Sequence, residues 1–316
     1  MGPSTTADWY LRYADQEARG ESATYEEWAR GVAADPEVLG LLGGLPEQKR
    51  QPALVFATSR LLGAQAGDWP SFRRWLTSHW TSVAREAERR TTQTNEPHRC
   101  AAVLPALSLI PQPIALLEVG ASAGLTLLPD RYAYRYDDVL VGDSPLVLEC
   151  ATAGSPPLPE VLPDIRWRHG VDLHPLDVGD ADDVRWLEVL VPPEQTTRRD
   201  RIREAVRLAR LDPPQVDAGD AVDALRELVA RVPADLTPVV LSAGTMVYVP
   251  GRRRQLFREL VRELGCRWVA MERVGVFPDL VPPRLPTVPT SAPCLVTLDE
   301  QPLAVASPHG RHLAWL

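Results

Sequence analysis

The chain is 316 residues long, 45% hydrophobic and 24% charged, with a formal net charge of −8. That acidic balance excludes the basic footprint that nucleic-acid backbones and anionic membrane surfaces demand, and leaves a small-molecule or peptide substrate as the expectation. The length admits one large domain, or one domain with an appended subdomain.

Lys49 is the only lysine, which leaves little scope for Schiff-base chemistry. Cys100, Cys150, Cys266 and Cys294 lie far apart with no C-x-x-C pair, the usage of reduced thiols in a cytoplasmic protein. No signal peptide is read in "MGPSTTADWYLRYAD", and no apolar run reaches membrane-spanning length. The histidines never fall at i, i+4 with a companion acid, so no metal site is expected.

From the N-terminus to about residue 110 the periodicity is helical. In "ATYEEWARGVAADP" Thr24 precedes Glu27 at capping-box spacing, which predicts a helix ending near Pro36. "QPALVFATSRLLGAQ" repeats apolar residues at helical spacing. "DWPSFRRWLTSHWTSVAREAERR" sets Phe72, Trp75, Leu76 and Trp80 on one face opposite arginines. No strand-like alternation interrupts this part, so residues 1–98 are expected to form a helical cap region.

Then the character changes. "PIALLEVG" is a short apolar run ending in glycine, the mark of a buried parallel strand, and "LTLLPDRY" is expected as the helix after it. "YAYRYDDVLVGDSPLVLEC" alternates like a hairpin and "ATAGSPPLPEVLPD" is a proline-rich loop, together an insertion at about 134–163. "IRWRHGVDL", "PQVDAGD", "PVVLSAGTMVYV" and "CRWVAMERV" predict further strands, separated by helices in "EQTTRRDRIREAVRLARL", "AVDALRELVARVP" and "RRRQLFRELVREL". "APCLVTLDEQPLAVASPHGRHLAWL" reads as a closing antiparallel pair with turns at "DEQ" and "SPHG". This rhythm predicts a doubly wound α/β domain over residues 99–316, whose ligand sits beyond the carboxyl ends of its strands.

The loop after the first strand, "EVGASAG", fits two chemistries. Gly120 to Gly124 spells G-x-S-x-G, a hydrolase nucleophile elbow, and Ser122, Asp220 and His309 could be written as a formal triad. The elbow requires several strands and oxyanion-donating glycines upstream, and here the upstream chain is helical. A dinucleotide fingerprint would need G-x-G-x-x-G, which is missing. The third reading is a loop for S-adenosylmethionine. Gly120, Ala121, Ser122 and Gly124 would let backbone approach the ligand, Glu118 would meet its cationic end, Asp172 at the second strand's tip would take the ribose hydroxyls, and Asp220 at the third would face the adenine amine.

Four segments carry a family resemblance: "TQTNEPHRCAAVLPAL" (Thr92 to Leu107), "LLEVGASAGLTLLPDRYAYRY" (Leu116 to Tyr136), "WRHGVDLHPLDV" (Trp167 to Val178) and "SPHG". In these the chain resembles, nearly end to end, a bacterial family catalogued as domain of unknown function 2332. The resemblance implies similarity to class I S-adenosylmethionine-dependent methyltransferases: a Rossmann-like parallel sheet closed by an antiparallel hairpin, behind an N-terminal helical subdomain. The chain departs from the family pattern at Thr126, where asparagine is expected, and at Ser242, where many relatives place histidine, so no catalytic role carries over to that position.

Other residues stand between two readings. Gln93, Asn95 and Glu96 are either a helix cap before Pro97 or a polar knot closing a substrate pocket. Tyr132, Tyr134 and Tyr136 alternate, either as hairpin packing or as a substrate-facing patch to which Tyr134 belongs. Asp220 is also a candidate helix N-cap, and Ser242 and Glu272 at strand ends are candidates to line the pocket. The expectation is methyl transfer from S-adenosylmethionine to oxygen or nitrogen of a small molecule or peptide. The alternatives are a non-catalytic protein with a methyltransferase fold, and a serine hydrolase using Ser122.

Overall fold

The computed structural model describes residues 5–93 and 95–316, so Met1 to Ser4 and Thr94 of the "TQTNEP" motif lie outside the described residues. The chain divides into two compact units, residues 1–94 with 180–203, and residues 95–179 with 204–316. The sequence reading places the boundary after residue 98 and leaves 180–203 in the α/β part; the contacts group that segment with the helices.

The first unit is built from α1 (Thr6–Tyr13), α2 (Ala23–Ala33), α3 (Pro36–Gly43), α4 (Pro52–Leu61), α5 (Trp69–Arg89) and the later α7 (Ala181–Leu190). The cap of α2 is Ser22, whose side chain accepts the Tyr25 N–H, rather than Thr24. Glu27 is instead spent on the N-terminus of α5, accepting the Trp69 N–H at 2.8 Å. The aromatic residues converge: Trp28 and Phe72 stack with ring centroids 3.6 Å apart, and Tyr25 and Phe56 pack around them. Each such side chain, fully buried, stabilises by about 2–3 kcal/mol. Arg60 explains why α7 belongs here. Its guanidinium donates to the carbonyls of Val189 and Val191 at 3.0 and 2.5 Å, satisfying the open C-terminal end of that helix. Ser22 also donates to Glu194 at 2.6 Å.

The second unit is a mixed α/β structure around one eleven-stranded, mostly parallel sheet. Its strands are β1 (Ile114–Val119), β2 (Ala133–Tyr136), β3 (Val139–Val141), β4 (Val147–Ala153), β5 (Ile165–Asp172), β6 (Gln215–Ala218), β7 (Thr237–Ala243), β8 (Arg267–Arg273), β9 (Cys294–Leu298), β10 (Gln301–Ala306) and β11 (His312–Trp315). Their order is β3-β2-β4-β11-β10-β9-β8-β7-β1-β5-β6. The wing β8-β7-β1-β5-β6 is parallel throughout. β1 lies inside it with every residue buried, which is why "IALLEV" shows no polar alternation, its one acid, Glu118, being buried with the rest. Helices α6 (Arg99–Ser108), α9 (Leu225–Ala230), α10 (Gly251–Glu263) and the second part of α8 (Thr196–Ala209), which begins in the first unit, complete the set. α9 and α10 bury Leu225, Leu228, Phe257 and Val261 in a core with Val119, Val240 and Trp268.

Two sequence expectations are corrected. No helix follows β1: "LTLLPDRY" forms two short 3-10 turns, Leu125–Leu127 and Pro129–Arg131. Pro129 and the demand of Tyr132 and Tyr134 for the Leu125 and Pro129 carbonyls break the run. The stretch read as an insertion at about 134–163 contributes strands to the sheet, β4 pairing in parallel with both β11 and β2. The C-terminus forms three strands, not two, since "RHLAW" adds β11 antiparallel to β10.

Candidate functional site

Within the parallel wing the later strands lie on both sides of β1, β5 and β6 on one side and β7 and β8 on the other, while β2, β3 and β4, which come between β1 and β5 in the chain, stand at the far end of the sheet. The carboxyl ends of β1 and β7 thus flank the topological switch point, where open α/β sheets hold ligands. The loop Gly120–Gly124 leaves β1 at this point. Gly120, Ser122 and Gly124 all have left-handed backbone, with φ of 72°, 54° and 71°. For Ser122 that conformation costs about 1 kcal/mol or more and persists only because the surroundings impose it.

The surroundings are identifiable. Asn95, 5% exposed, donates from Nδ2 to the Ala121 carbonyl at 3.0 Å and accepts the Leu125 N–H on Oδ1 at 2.9 Å, so one side chain ties both limbs of the loop. Asp172, at the end of β5, accepts the Ser122 N–H at 2.9 Å and the His174 N–H at 2.8 Å. The Val171 carbonyl accepts from Gly120 and Ala121. Thr245, just beyond β7, lies against Gly120, where an added Cβ would sit 2.2 Å from its Oγ1. Pro214 lies against Gly124 in the same way, at 2.7 Å. Both glycines are therefore required by close protein packing as well as by backbone conformation.

Two buried carboxyl groups stand at the same strand ends. Glu118 of β1 is 2% exposed; burial pushes its pKa up to about 8, opposed by the Thr126 hydrogen bond and the Arg99 charge. Thr126 donates to Oε1, and Oε2 is buried with no hydrogen-bond partner among the described residues. Glu272 of β8, equally buried, is pushed up to about 7 by burial, against hydrogen bonds from the Met246 and Thr245 N–H groups and from Ser242. Trp268 Nε1 donates to Ser242 Oγ at 3.2 Å, so Trp268, Ser242 and Glu272 form a buried relay that fixes the loop after β7. Arg99 of α6 donates to the Ala243 carbonyl at 2.6 Å, and its guanidinium packs against Gly244.

Of the residues singled out from sequence, Glu118, Gly120, Ala121, Ser122, Gly124, Asn95 and Asp172 meet in this one assembly. Ser242 and Glu272 anchor its neighbour at β7. Glu96 is fully buried and accepts the His98 N–H at 3.2 Å. Asp220 receives Arg253 and caps its own turn through the Val222 N–H at 2.8 Å. Tyr134 is fully buried, with its hydroxyl donated to the Pro129 carbonyl at 2.6 Å. Gln93 belongs to the helical unit and is half-buried. Sequence reasoning missed Thr245 and Pro214, which no motif marks. It also passed over Arg99, which stands inside the quoted "NEPHRC" but reads as an ordinary helix-surface cation.

Among the described residues no helix is long and apolar enough to cross a membrane, and no group of His, Cys, Asp and Glu could hold a metal ion. No curated protein and no solved structure matches the chain. A family model described as an uncharacterized protein conserved in bacteria, domain of unknown function 2332, matches residues 7–315, and the chain belongs to that bacterial family.

Proposed function

We propose that this chain is an S-adenosylmethionine-dependent methyltransferase acting on oxygen or nitrogen of a small molecule or peptide. The observation that carries the reading is the glycine-spaced loop at the switch point between β1 and β7, with a buried carboxyl oxygen of Glu118 at its base that has no hydrogen-bond partner among the described residues. A buried, unsatisfied acid is unfavourable for folding, and such groups are retained where a ligand answers them. Asp172 fits the ribose by position: it is half-buried at the end of β5 and holds the loop through the Ser122 N–H. Asp220 takes Arg253 and the Val222 N–H on Oδ1, so an adenine amine would share its carboxylate with that cation.

The cofactor supplies an electrophilic methyl group. The protein's part is to hold the acceptor in line with it and to exclude water, which accounts for much of the acceleration in such displacements. Glu118 and Asp172 bind and orient; Asn95 and the Asp172 carboxylate keep the loop in its left-handed form. Calorimetric titration with S-adenosylmethionine and S-adenosylhomocysteine tests the reading. Saturable binding, weakened at least about tenfold in Asp172→Ala, supports it; no binding to either ligand overturns it.

One observation favours a hydrolase. The left-handed backbone of Ser122 is the conformation a nucleophile elbow imposes. Its side chain is only 3% exposed and no helix follows it, both contrary to an elbow. Covalent labelling of Ser122 by a fluorophosphonate would establish this second reading, and its absence would remove it.

A further inference from the structure

A second concave region lies in the sheet-containing unit, lined by none of the residues assigned above to the cofactor. It is a cleft of about 510 Å³, walled by Arg131, by Asp143 between β3 and β4, by Leu162 of the proline-rich loop, and by Leu208, Leu211 and Asp212 at the end of α8. That volume is in the range of small-molecule sites. Its apolar part is open to solvent: Leu211 is 75% exposed, and Leu162 and Leu208 are half-buried.

The charges are unequal. Arg168 holds Asp130 by two hydrogen bonds of 2.8 Å, and Arg131 lies between Asp130 at 3.4 Å and Asp212 at 3.3 Å. Asp143, exposed on the rim, takes part in no ion pair or hydrogen bond among the described residues. Three carboxylates (Asp130, Asp143, Asp212) against two guanidiniums (Arg131, Arg168) leave one negative charge. A monocation balances it, and the exposed leucines ask for an apolar body on that cation. A bare metal ion would leave the apolar wall uncovered, and an anion would face two rim carboxylates.

We propose that this cleft binds an organic monocation with an apolar body, an alkyl- or arylalkylamine, its ammonium between Asp143 and Asp212 and its apolar part on Leu208 and Leu211. The site does not depend on the methyltransferase reading.

The test is titration of the full chain with 2-phenylethylamine and, separately, with 3-phenylpropionate, followed by chemical-shift changes of the ligand and by calorimetry. Saturable binding of the amine with a Kd below about 1 mM, and a carboxylate at least about tenfold weaker, is the expected result. Asp143→Asn and Leu211→Ser, both at exposed positions, should each weaken the amine by about three- to tenfold while leaving the thermal midpoint unchanged. The proposal is overturned if the amine does not saturate, if the carboxylate binds as well, or if neither variant alters the amine's affinity.

Discussion

The hydroxyl of Thr126 donates to Oε1 of Glu118 inside the core, and the other oxygen of that carboxyl has no hydrogen-bond partner among the described residues. A hydroxyl here can give only one proton, and an asparagine amide at the same position could give two. With Thr126 in place, the acid is under-satisfied, and burial is free to hold it in its neutral form near pH 7.

That pairing makes stability depend on pH. Glu118 titrates at about 8 in the folded protein against an ordinary value of 4.5, so the folded chain keeps a proton that the unfolded chain releases. Stability is therefore full below about 4.5 and falls as pH rises to about 8, by on the order of 4 kcal/mol from this group. Glu272, at about 7, adds a decline of the same sign over 4.5 to 7. Carboxylates held below their ordinary value, such as Asp35 and Glu300, act in the opposite sense only at lower pH. Urea unfolding between pH 5.5 and 8.5 should show the wild-type chain losing stability and Glu118→Gln losing distinctly less; parallel declines would remove Glu118 as the cause.

The same proton offers a check on the proposed function. A cationic ligand brought beside Glu118 favours its carboxylate, so binding at pH 7 should release about one proton. Titration with S-adenosylmethionine in buffers of different ionisation enthalpy reads this directly. The apparent enthalpy should vary with a slope of about one for the wild-type chain and about zero for Glu118→Gln. A zero slope in both would separate Glu118 from the ligand.

Gly120 answers to two demands at once. In Gly120→Ala the new Cβ would lie 2.2 Å from Thr245 Oγ1, and the left-handed backbone disfavours any side chain. The expected loss is about 2–4 kcal/mol. Thr245→Gly in the same chain should restore part of it and leave about 1 kcal/mol, the backbone contribution. Strict additivity of the two substitutions in denaturant unfolding would contradict the contact.

Asn95→Ala strands the Leu125 N–H and the Ala121 carbonyl in a buried loop, and should cost about 2–4 kcal/mol. Asn95→Asp retains the acceptor and loses the donor, so its loss should be due chiefly to a buried charge and should shrink as pH falls below about 5. Hydrogen exchange at Leu125 gives the local reading: faster exchange in Asn95→Ala and little change in Asn95→Asp at low pH is the expected pattern.

Gly124 shows how a sequence motif and a packed structure can divide the credit for one residue. Glycine spacing alone suggests room for a ligand. In the fold its free side faces Pro214, so a larger residue there strikes protein first. Gly124→Val is expected to unfold the loop, which makes it a poor probe of binding and Asp172→Ala the better one.

What the sequence determined by itself was whatever burial writes locally. The largely apolar run of β1, the helical spacing of Phe72 and Leu76, and the glycine loop at the strand's end report burial or backbone conformation within a few residues, and each is found in place. Partner choice is not local, and only the tertiary structure decided it. Asn95 reaches the loop across some thirty residues, Thr245 reaches Gly120 across far more, and β11 pairs with β4 from the other end of the chain. The helix read after β1 failed for the same reason. Its sequence is apolar enough for one, but Pro129 has no N–H to give the Leu125 carbonyl, and Tyr132 and Tyr134 satisfy the Leu125 and Pro129 carbonyls only once their rings are buried.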